Sequence, residues 1–329
     1  MLQFTRYVIA LDFKTSIGQQ IRKILATSEN KQIQFPMDNF QTLLFKFIAT
    51  DEYFDDLYLE FNIQNKLGGE CYIFSRRNTN EIIVSFRGSD TPLDLLIDAT
   101  IETVPLQFDD ITIKSDVRVH KGFLCQLTNY DFHIQLAKIV ETFINRSDKP
   151  ITIQIVGHSL GSELGMIFSY YLHHHFNISL TDKVGTDGFP NIDVCTIGSS
   201  PVGNSSWVRE YNNVFINDGR RNQYRLINEH DIVPNAFIFG YKIVDIIPLI
   251  RQYAEQTPPP AADTKRFILR FFNQSVFDYK HVGTDTYIIV RGVLQRVDNA
   301  THIFTEPTIY DLLNIVYTHM IDYHRWLSV

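Results

Sequence analysis

The sequence predicts an α/β fold in which a mostly parallel central sheet is covered by helices on both faces. Short runs rich in β-branched residues, typical of strands buried on both faces, alternate with longer segments whose apolar residues recur at helical spacing. The chain has 329 residues, of which 44% are hydrophobic and 20% are charged, a composition typical of a globular protein with a sizeable core. We therefore expect a single domain over residues 1–329.

The N-terminal part of the chain, residues 1–65, is interpreted as mostly helical. Phe54, Leu57, Tyr58 and Phe61 recur at the spacing of one helix face. A β-hairpin is predicted next, with strands at 71–74 and 82–86 and a turn at 78–80.

Beyond the hairpin, predicted strands and helices continue to alternate. Further strands are predicted at 151–156, 194–197, 224–228, 286–290 and 293–297. Helices are predicted at 92–104, 132–143, 160–172 and 308–326. Residues 235–280, which include three consecutive prolines, have no place in this alternation and are interpreted as an insertion.

Composition narrows the classes of partner. The net charge of −7 argues against non-specific nucleic-acid binding and against a polybasic membrane anchor. No apolar run is long enough to be a transmembrane segment, the first ten residues lack the features of a secretory signal, and three cysteines at long spacings indicate neither a disulfide framework nor a zinc site. Residues 173–175 are consecutive histidines, which point in different directions on a helix and cannot share one ion. We expect an intracellular protein, soluble or peripheral to membranes, with no metal and no cofactor.

Residues 157–161 (GHSLG) fit the G-x-S-x-G pattern of a nucleophile elbow. A predicted strand ends directly before them and an apolar helix begins directly after. At such a turn the strained bend lifts the serine hydroxyl above the sheet, and a side chain two residues to either side would collide with the neighbouring strand or helix. The pattern predicts Ser159 as a nucleophile and the Leu160 N–H as an oxyanion donor. The alternative is a glycine-rich turn that merely joins a strand to a helix.

A serine nucleophile needs a histidine base that is oriented by a carboxylate, and in this type of fold the chain order is serine, acid, histidine. Residues 229–231 (EHD) follow the predicted strand at 224–228, so Asp231 is the favoured acid and Glu229 the second choice. A solvated loop carboxylate is the alternative. The base must follow the last strand, which excludes His281 and leaves three histidines open, His302, His319 and His324.

Seven segments in chain order resemble the class 3 lipases, the fungal triacylglycerol-lipase-like group of the α/β-hydrolase superfamily. They are 82–89 (IIVSFRGS), 119–124 (VHKGFL), 155–161 (IVGHSLG), 196–204 (TIGSSPVGN), 225–234 (RLINEHDIVP), 281–283 (HVG) and 319–323 (HMIDY). The resemblance covers the chain from about residue 70 to the C-terminus, apart from the insertion at 235–280. It implies an α/β-hydrolase fold and a serine hydrolase that acts on lipid esters.

The resemblance also implies roles for individual residues. It assigns Asp231 as the acid of the triad and His319 as the base, and it makes His281 structural. Two further assignments concern the oxyanion hole. The N–H groups of Ser89 and Leu160 would bind the tetrahedral intermediate there.

Two more side chains are expected to support this site. By analogy with the family, Asp98 would hold the hydroxyl of Ser89 in place. His158, which directly precedes the nucleophile, is expected to support the site from within the elbow.

Substrate selection is expected to depend on two segments. Residues 91–106 occupy the lid position of related lipases, where an apolar face would cover the site in water and open in transient contact with a lipid surface; an ordinary amphipathic helix packed on the core is the alternative. Many relatives carry Trp where this chain has Leu95. Residues 235–280 are expected to cap the acyl pocket, the alternative being a satellite core under a long loop.

The function predicted from all of this is hydrolysis of acyl esters of lipids, with acylglycerols as the first choice of substrate. A phospholipase A-type hydrolase is the second reading. A catalytically idle interaction protein with a lipase fold is the third.

Overall fold

A nine-stranded sheet organises the part of the chain that the structure, a computed structural model, describes. That part comprises residues 31–32, 57–65, 67, 69–76, 79–88, 102–179, 190–215, 222–231, 233–235, 279–282, 285–290, 293–297 and 319. The strands are β1 (Lys31–Gln32), β2 (Leu57–Gln64), β3 (Glu70–Arg76), β4 (Glu81–Phe86), β5 (Thr103–Pro105), β6 (Arg118–His120), β7 (Thr152–His158), β8 (Asn191–Ile197), β9 (Asn222–Asn228), β10 (Asp285–Val290) and β11 (Val293–Val297). The helices are α1 (Lys121–Thr128), α2 (Phe132–Arg146), α3 (Leu160–Ser179) and α4 (Ser205–Phe215), with 3₁₀ turns at Asn129–Asp131 and Val233–Asn235.

The order of the strands in the main sheet is β1-β2-β3-β4-β7-β8-β9-β10-β11, while β5 and β6 form a separate two-stranded sheet. Strands β4, β7, β8, β9 and β10 are parallel, whereas β1 to β3 at one edge and β11 at the other run antiparallel to their neighbours. The mostly parallel sheet is therefore as predicted. Because these parallel strands run in the same direction, their carboxyl ends lie side by side. Open α/β sheets bind ligands at this end of their strands.

The central strands lie where the sequence predicts them. In β7 every residue after Thr152 is buried, as expected of a strand that is covered on both faces. The hairpin is also confirmed, since β3 and β4 pair antiparallel with Ile73 opposite Val84, and Asn80 in the turn has a φ of 53°. The late hairpin of β10 and β11 is confirmed as well.

The helical interpretation is wrong for residues 57–64. They form β2, which pairs antiparallel with β3 along its whole length and has a bulge between Leu59 and Phe61. Leu57, Leu59, Phe61 and Ile63 alternate with residues of greater polarity, so the period of a strand is present beside the helical spacing, and pairing with β3 selects it. The other residues of 1–65 lie outside the described part, except β1.

The helix predicted at 92–104 is wrong at its end. Residues 103–105 form β5, where Val104 pairs with Val119 and Pro105 with Arg118 of β6. This ladder uses backbone groups that a helix would need for its own hydrogen bonds. Residues 91–101, the rest of the predicted lid, lie outside the described part.

The segment at 235–280 has a definite place in the topology. Because β9 and β10 are parallel neighbours, the chain between them must cross from one end of the sheet to the other. At the end of this crossover, Lys280 N donates a hydrogen bond to Gly203 O at 3.0 Å. Apart from Asn235, Tyr279 and Lys280, the segment lies outside the described residues, as does the helix predicted at 308–326 apart from His319.

Helix α3 is the main element packed on the parallel strands. All residues from Leu160 to Leu172 are buried, and the Phe168 ring meets Phe86 of β4 edge to face at 5.4 Å. Tyr170 packs on Trp207 of α4 with ring centroids 5.3 Å apart. Packing on all sides fixes the position of α3, and with it the turn that precedes its N-terminus.

The segments 119–123 (VHKGF) and 201–204 (PVGN) each supply a side chain that caps the start of a helix. The imidazole of His120 caps α1, because its Nδ1 accepts hydrogen bonds from the Gly122 and Phe123 N–H groups. Asn204 Oδ1 accepts from Trp207 N at 2.9 Å in the first turn of α4.

Among the helices that the structure describes, none is long and apolar enough to cross a membrane.

Candidate active site

Ser159 occupies the turn between β7 and α3. Its φ is 54°, a left-handed value that is unusual for a residue other than glycine. The bend is held by two backbone hydrogen bonds, from Ser159 N to Ile197 O at 2.9 Å and from Ser162 N to Ser159 O at 2.8 Å. Only 3% of Ser159 is exposed. The strained elbow that the sequence predicts is therefore present.

The two glycines of the elbow have no room for a side chain. A Cβ on Gly157 would lie 2.1 Å from Gly161 O, and one on Gly161 would lie 2.2 Å from Phe86 O of β4. Both contacts are with backbone, which cannot move aside. The predicted collisions with the neighbouring helix and strand are confirmed.

Ser162, which the sequence analysis did not single out, ties three elements together at this turn. Its Oγ donates to Gly157 O at 2.7 Å, lies 3.1 Å from Ile197 O, and accepts from Ile197 N at 3.0 Å. The hydroxyl thus joins the start of α3 to the ends of β7 and β8. These hydrogen bonds stabilise the turn that holds Ser159.

Asp231 and His319 lie against each other in the interior. His319 Nδ1 donates to Asp231 Oδ2 at 2.7 Å, and the exposed fractions are 0% and 1%. The other carboxylate oxygen, Oδ1, accepts from Val233 N at 3.0 Å. Because the proton on Nδ1 is held by the carboxylate, the second ring nitrogen, Nε2, is the one that can serve as a base.

His158 connects the elbow to this pair. Its Nε2 donates to the main-chain carbonyl of His319 at 2.8 Å, and the two rings are 4.6 Å apart. The residue before Ser159 therefore fixes the backbone of His319, which lies 161 positions later in the chain. This contact brings the elbow and the Asp231–His319 pair into one site.

Gly198 makes the space for that pair, and sequence reasoning missed it. Its φ is 57°, and a Cβ there would lie 2.8 Å from His319 Cε1 and 2.9 Å from Asp231 Oδ2. Its position directly after the strand predicted at 194–197, at the edge where the other candidates lie, was the available signal.

Ser159 and His319 are not hydrogen-bonded to each other in this structure. The Oγ of Ser159 is buried and makes no hydrogen bond to any residue that the structure describes. The Leu160 N–H is at the first position of α3, where helical N–H groups have no partner within the helix.

Ser89 and Asp98 lie outside the described residues. The chain that leads to Ser89 is firmly held, since Arg87 N donates to Glu70 O at 3.0 Å and Arg87 Nη1 is 3.0 Å from Glu70 Oε2. Both groups are buried.

The competing candidates lie elsewhere or outside the described residues. Glu229, the second choice of acid, lies 3.5 Å from His230. His281 Nε2 donates to Pro234 O at 2.6 Å, and burial, with a smaller contribution from the Arg225 charge, lowers its pKa well below the usual value. A neutral His281 thus braces the loop that follows Asp231. The remaining histidines, His302 and His324, are not described.

The histidines at 173–175 do not form a metal site with their surroundings. His175 lies 3.6 Å from Asp110 and 3.8 Å from Glu141. Within the described part of the chain, no group of three or more His, Cys, Asp or Glu side chains has the arrangement of a metal site.

This chain is similar in sequence to one protein family and to proteins of known name. The class 3 lipase model matches residues 83–240. Phospholipase A1 EG1 of Oryza sativa subsp. indica is 22% identical over 179 residues, which are 50% of this chain and 38% of that protein. Phospholipase A1-Igamma2 of Arabidopsis thaliana is 25% identical over 177 residues, 49% of this chain and 32% of that protein. This chain thus spans less than two fifths of the length of either relative.

Solved structures show the same architecture. A triacylglycerol lipase from Penicillium expansum matches with a TM-score of 0.53 and 18% identity, over 74% of this chain and 75% of that chain. At this level of identity the likeness concerns the fold. It confirms the α/β-hydrolase fold that the sequence predicts.

Proposed function

We propose that this chain, a member of the class 3 lipase family by its residues 83–240, is a carboxylic ester hydrolase. It cleaves lipid esters through an acyl-serine intermediate. The observation that carries the proposal is the buried 2.7 Å hydrogen bond between Asp231 and His319 at the edge of the sheet that presents Ser159. A nucleophile on a strained turn, a base of defined tautomer and a buried carboxylate are the three parts that acyl transfer to serine requires.

This proposal gives each residue of the site a distinct role. His319 takes the proton of Ser159 Oγ as the oxygen attacks the ester carbonyl, and it returns the proton to the leaving alcohol. Asp231 stabilises the imidazolium that forms. The missing hydrogen bond between Ser159 and His319 is compatible with these roles, because such contacts are often long before substrate binds and shorten in the complex.

The developing oxyanion is bound by the Leu160 N–H at the start of α3 and by the N–H of Ser89. One such donor lowers the barrier by about 3 kcal/mol. The positive end of the α3 dipole adds to this stabilisation. Asp98 orients the hydroxyl of Ser89 in this proposal.

The substrate is the acyl ester of a glycerolipid, and an acylglycerol is the first choice. A phospholipase A activity is a second candidate, favoured specifically by the likeness to two plant proteins named phospholipase A1. Triacylglycerol and phosphatidylcholine in matched emulsions would distinguish the two. Release of fatty acid from the phospholipid alone would replace the acylglycerol proposal.

Two segments are proposed to control access within a single α/β-hydrolase domain, a lid within 91–106 and a cap within 235–280. The support is topological, because the chain enters both segments from the carboxyl ends of parallel strands, β4 and β9, at the edge that presents Ser159. A lid that opens in transient contact with lipid predicts a jump in activity when substrate exceeds its solubility limit; a smooth curve would contradict it. An intracellular location stays a prediction.

The decisive experiment compares the wild type with Ser159→Ala on p-nitrophenyl esters of increasing chain length. Ser206→Ala on the outer side of α4 is the matched control, since its hydroxyl is hydrogen-bonded to the exposed side chains of Asp116 and Arg209. We expect Ser159→Ala to lose at least about 10⁴-fold in kcat and the control to keep full activity. Equal rates for the wild type and Ser159→Ala would favour the idle interaction protein.

A further inference from the structure

A buried carboxyl group lies beside the candidate site and has no part in the mechanism above. Glu163 is in the first turn of α3, four residues after Ser159, and none of its surface is exposed. Ser159 itself lies outside the helix, with a left-handed φ of 54°, so Glu163 belongs to the first helical turn that follows the nucleophile.

One oxygen of this carboxyl group collects the hydrogen bonds of the loop that follows β8. Glu163 Oε1 accepts from Ser200 N at 2.6 Å and from Ser200 Oγ at 2.7 Å, and Ser199 Oγ lies 3.4 Å away. These two serines directly follow Gly198, whose missing side chain leaves the space for Asp231 and His319. Glu163 thus joins α3, the helix that follows Ser159, to the 198–200 segment, which borders Asp231 and His319.

Within the described residues, the other carboxyl oxygen of Glu163, Oε2, is buried without a hydrogen-bond partner. An ionisable group is costly in such a place.

We propose that Glu163 is a positioning residue for the reaction at Ser159, one that fixes the 198–200 segment beside His319 so that the imidazole keeps the orientation needed to take the serine proton. This inference rests on the proposed function of Ser159 and His319. It assigns Glu163 no contact with substrate. Its effect therefore falls on turnover and on the geometry of the Asp231–His319 hydrogen bond, and leaves substrate affinity unchanged.

The test uses three substitutions of Glu163 in the full chain. Glu163→Ala removes the acceptor, Glu163→Asp keeps a carboxyl group but draws it back by one methylene, and Glu163→Gln keeps an acceptor oxygen at the same distance. Glu210→Gln is the matched control, because among the described residues this glutamate of α4 forms its ion pair with the exposed Lys114.

Two readouts are measured on each folded variant, kcat and KM with a soluble p-nitrophenyl ester, and the low-field ¹H NMR signal of the His319 Nδ1 proton in ¹⁵N-histidine-labelled protein. We expect Glu163→Ala and Glu163→Asp to lower kcat by about 10- to 100-fold with KM unchanged, as small misplacements of catalytic groups do, and to shift or broaden the signal. Glu163→Gln should recover most of the kcat and the wild-type signal.

The outcomes separate this inference from the function on which it rests. If Glu163→Ala does not fold, Glu163→Asp decides. An unchanged kcat and an unchanged signal in the folded variants would overturn the positioning role, while loss of activity in Ser159→Ala would still support the hydrolase. A wild type without esterase activity whose His319 signal still moves in Glu163→Asp would reject the hydrolase and keep the positioning role.

Discussion

The buried Glu163 makes a quantitative prediction about stability and pH. Burial raises the pKa of this carboxyl group from the usual 4.5 to about 7, although the Ser200 hydrogen bonds and the charge of His158 oppose the rise. Between pH 4.5 and 7 the carboxyl group is ionised in the unfolded chain but still holds its proton in the folded one. The folded state therefore binds more protons, and the free energy of unfolding falls as the pH rises through this window. A rise from 4.5 to about 7 corresponds to a loss of about 3 kcal/mol.

The substitution Glu163→Gln isolates this contribution from all other titrations. The amide has nearly the same shape and keeps an acceptor for Ser200, but it does not titrate. We expect the free energy of unfolding of Glu163→Gln, relative to the wild type, to increase by about 3 kcal/mol between pH 4.5 and pH 8. Urea denaturation at half-unit pH steps measures this difference, and m-values show whether unfolding stays two-state.

The exposed pair of Glu210 and Lys114 provides the control. Glu210→Gln should differ from the wild type in free energy of unfolding by at most about 1 kcal/mol, since exposed pairs contribute little. A difference between Glu163→Gln and the wild type that stays constant within about 0.5 kcal/mol would refute the reasoning. It would mean that the carboxyl group is ionised at low pH in the folded protein.

Three further predictions concern backbone space and the acid. Gly161→Ala places a Cβ 2.2 Å from backbone and should prevent folding, whereas Gly165→Ala, one turn along, meets side-chain atoms of Ile155 at 3.1 Å and Phe86 at 3.6 Å and should change Tm by a few degrees at most; similar soluble yields and Tm values would contradict this. Gly198→Ala should lower kcat by about 100-fold through displacement of His319, and steady-state kinetics with unchanged kcat would exclude that role. Asp231→Asn should lower kcat by about 10⁴-fold with KM little changed; a loss below 10-fold would remove Asp231 from the mechanism.

The sequence was most informative where structure is decided locally. Strand β7 is recognisable because a strand buried on both faces is an unbroken apolar run, and the elbow is recognisable because backbone collisions exclude every residue but glycine at positions 157 and 161. Periodicity failed in β2, whose residues satisfy the helical and the strand period at once. Pairing with β3, which no window on one segment can reveal, decided between them.

In the candidate site too, some residues could be predicted from local sequence, and others depend on contacts between distant segments. Ser159 and Asp231 follow predicted strands and could be proposed from the residues themselves, but the choice of His319 over His302 and His324 needed the resemblance to a family. Gly198 and Glu163 could not be found in this way. Their importance arises from contacts between α3 and the end of β8, elements that lie tens of residues apart in the sequence.

The carboxyl ends of four neighbouring strands define what is fixed in this site and what can vary. The ends of β4, β7, β8 and β9 lead to the Arg87 anchor, Ser159, Gly198 and Asp231, and these ends are connected by hydrogen bonds between neighbouring strands. The acyl-transfer groups therefore depend on the rigid centre of the sheet. The chain beyond β4 and the crossover beyond β9 leave from the carboxyl ends of these same strands, and we expect their sequences to be able to change without moving Ser159 or Asp231. Substrate preference should accordingly follow these two segments, and turnover should follow the strand ends.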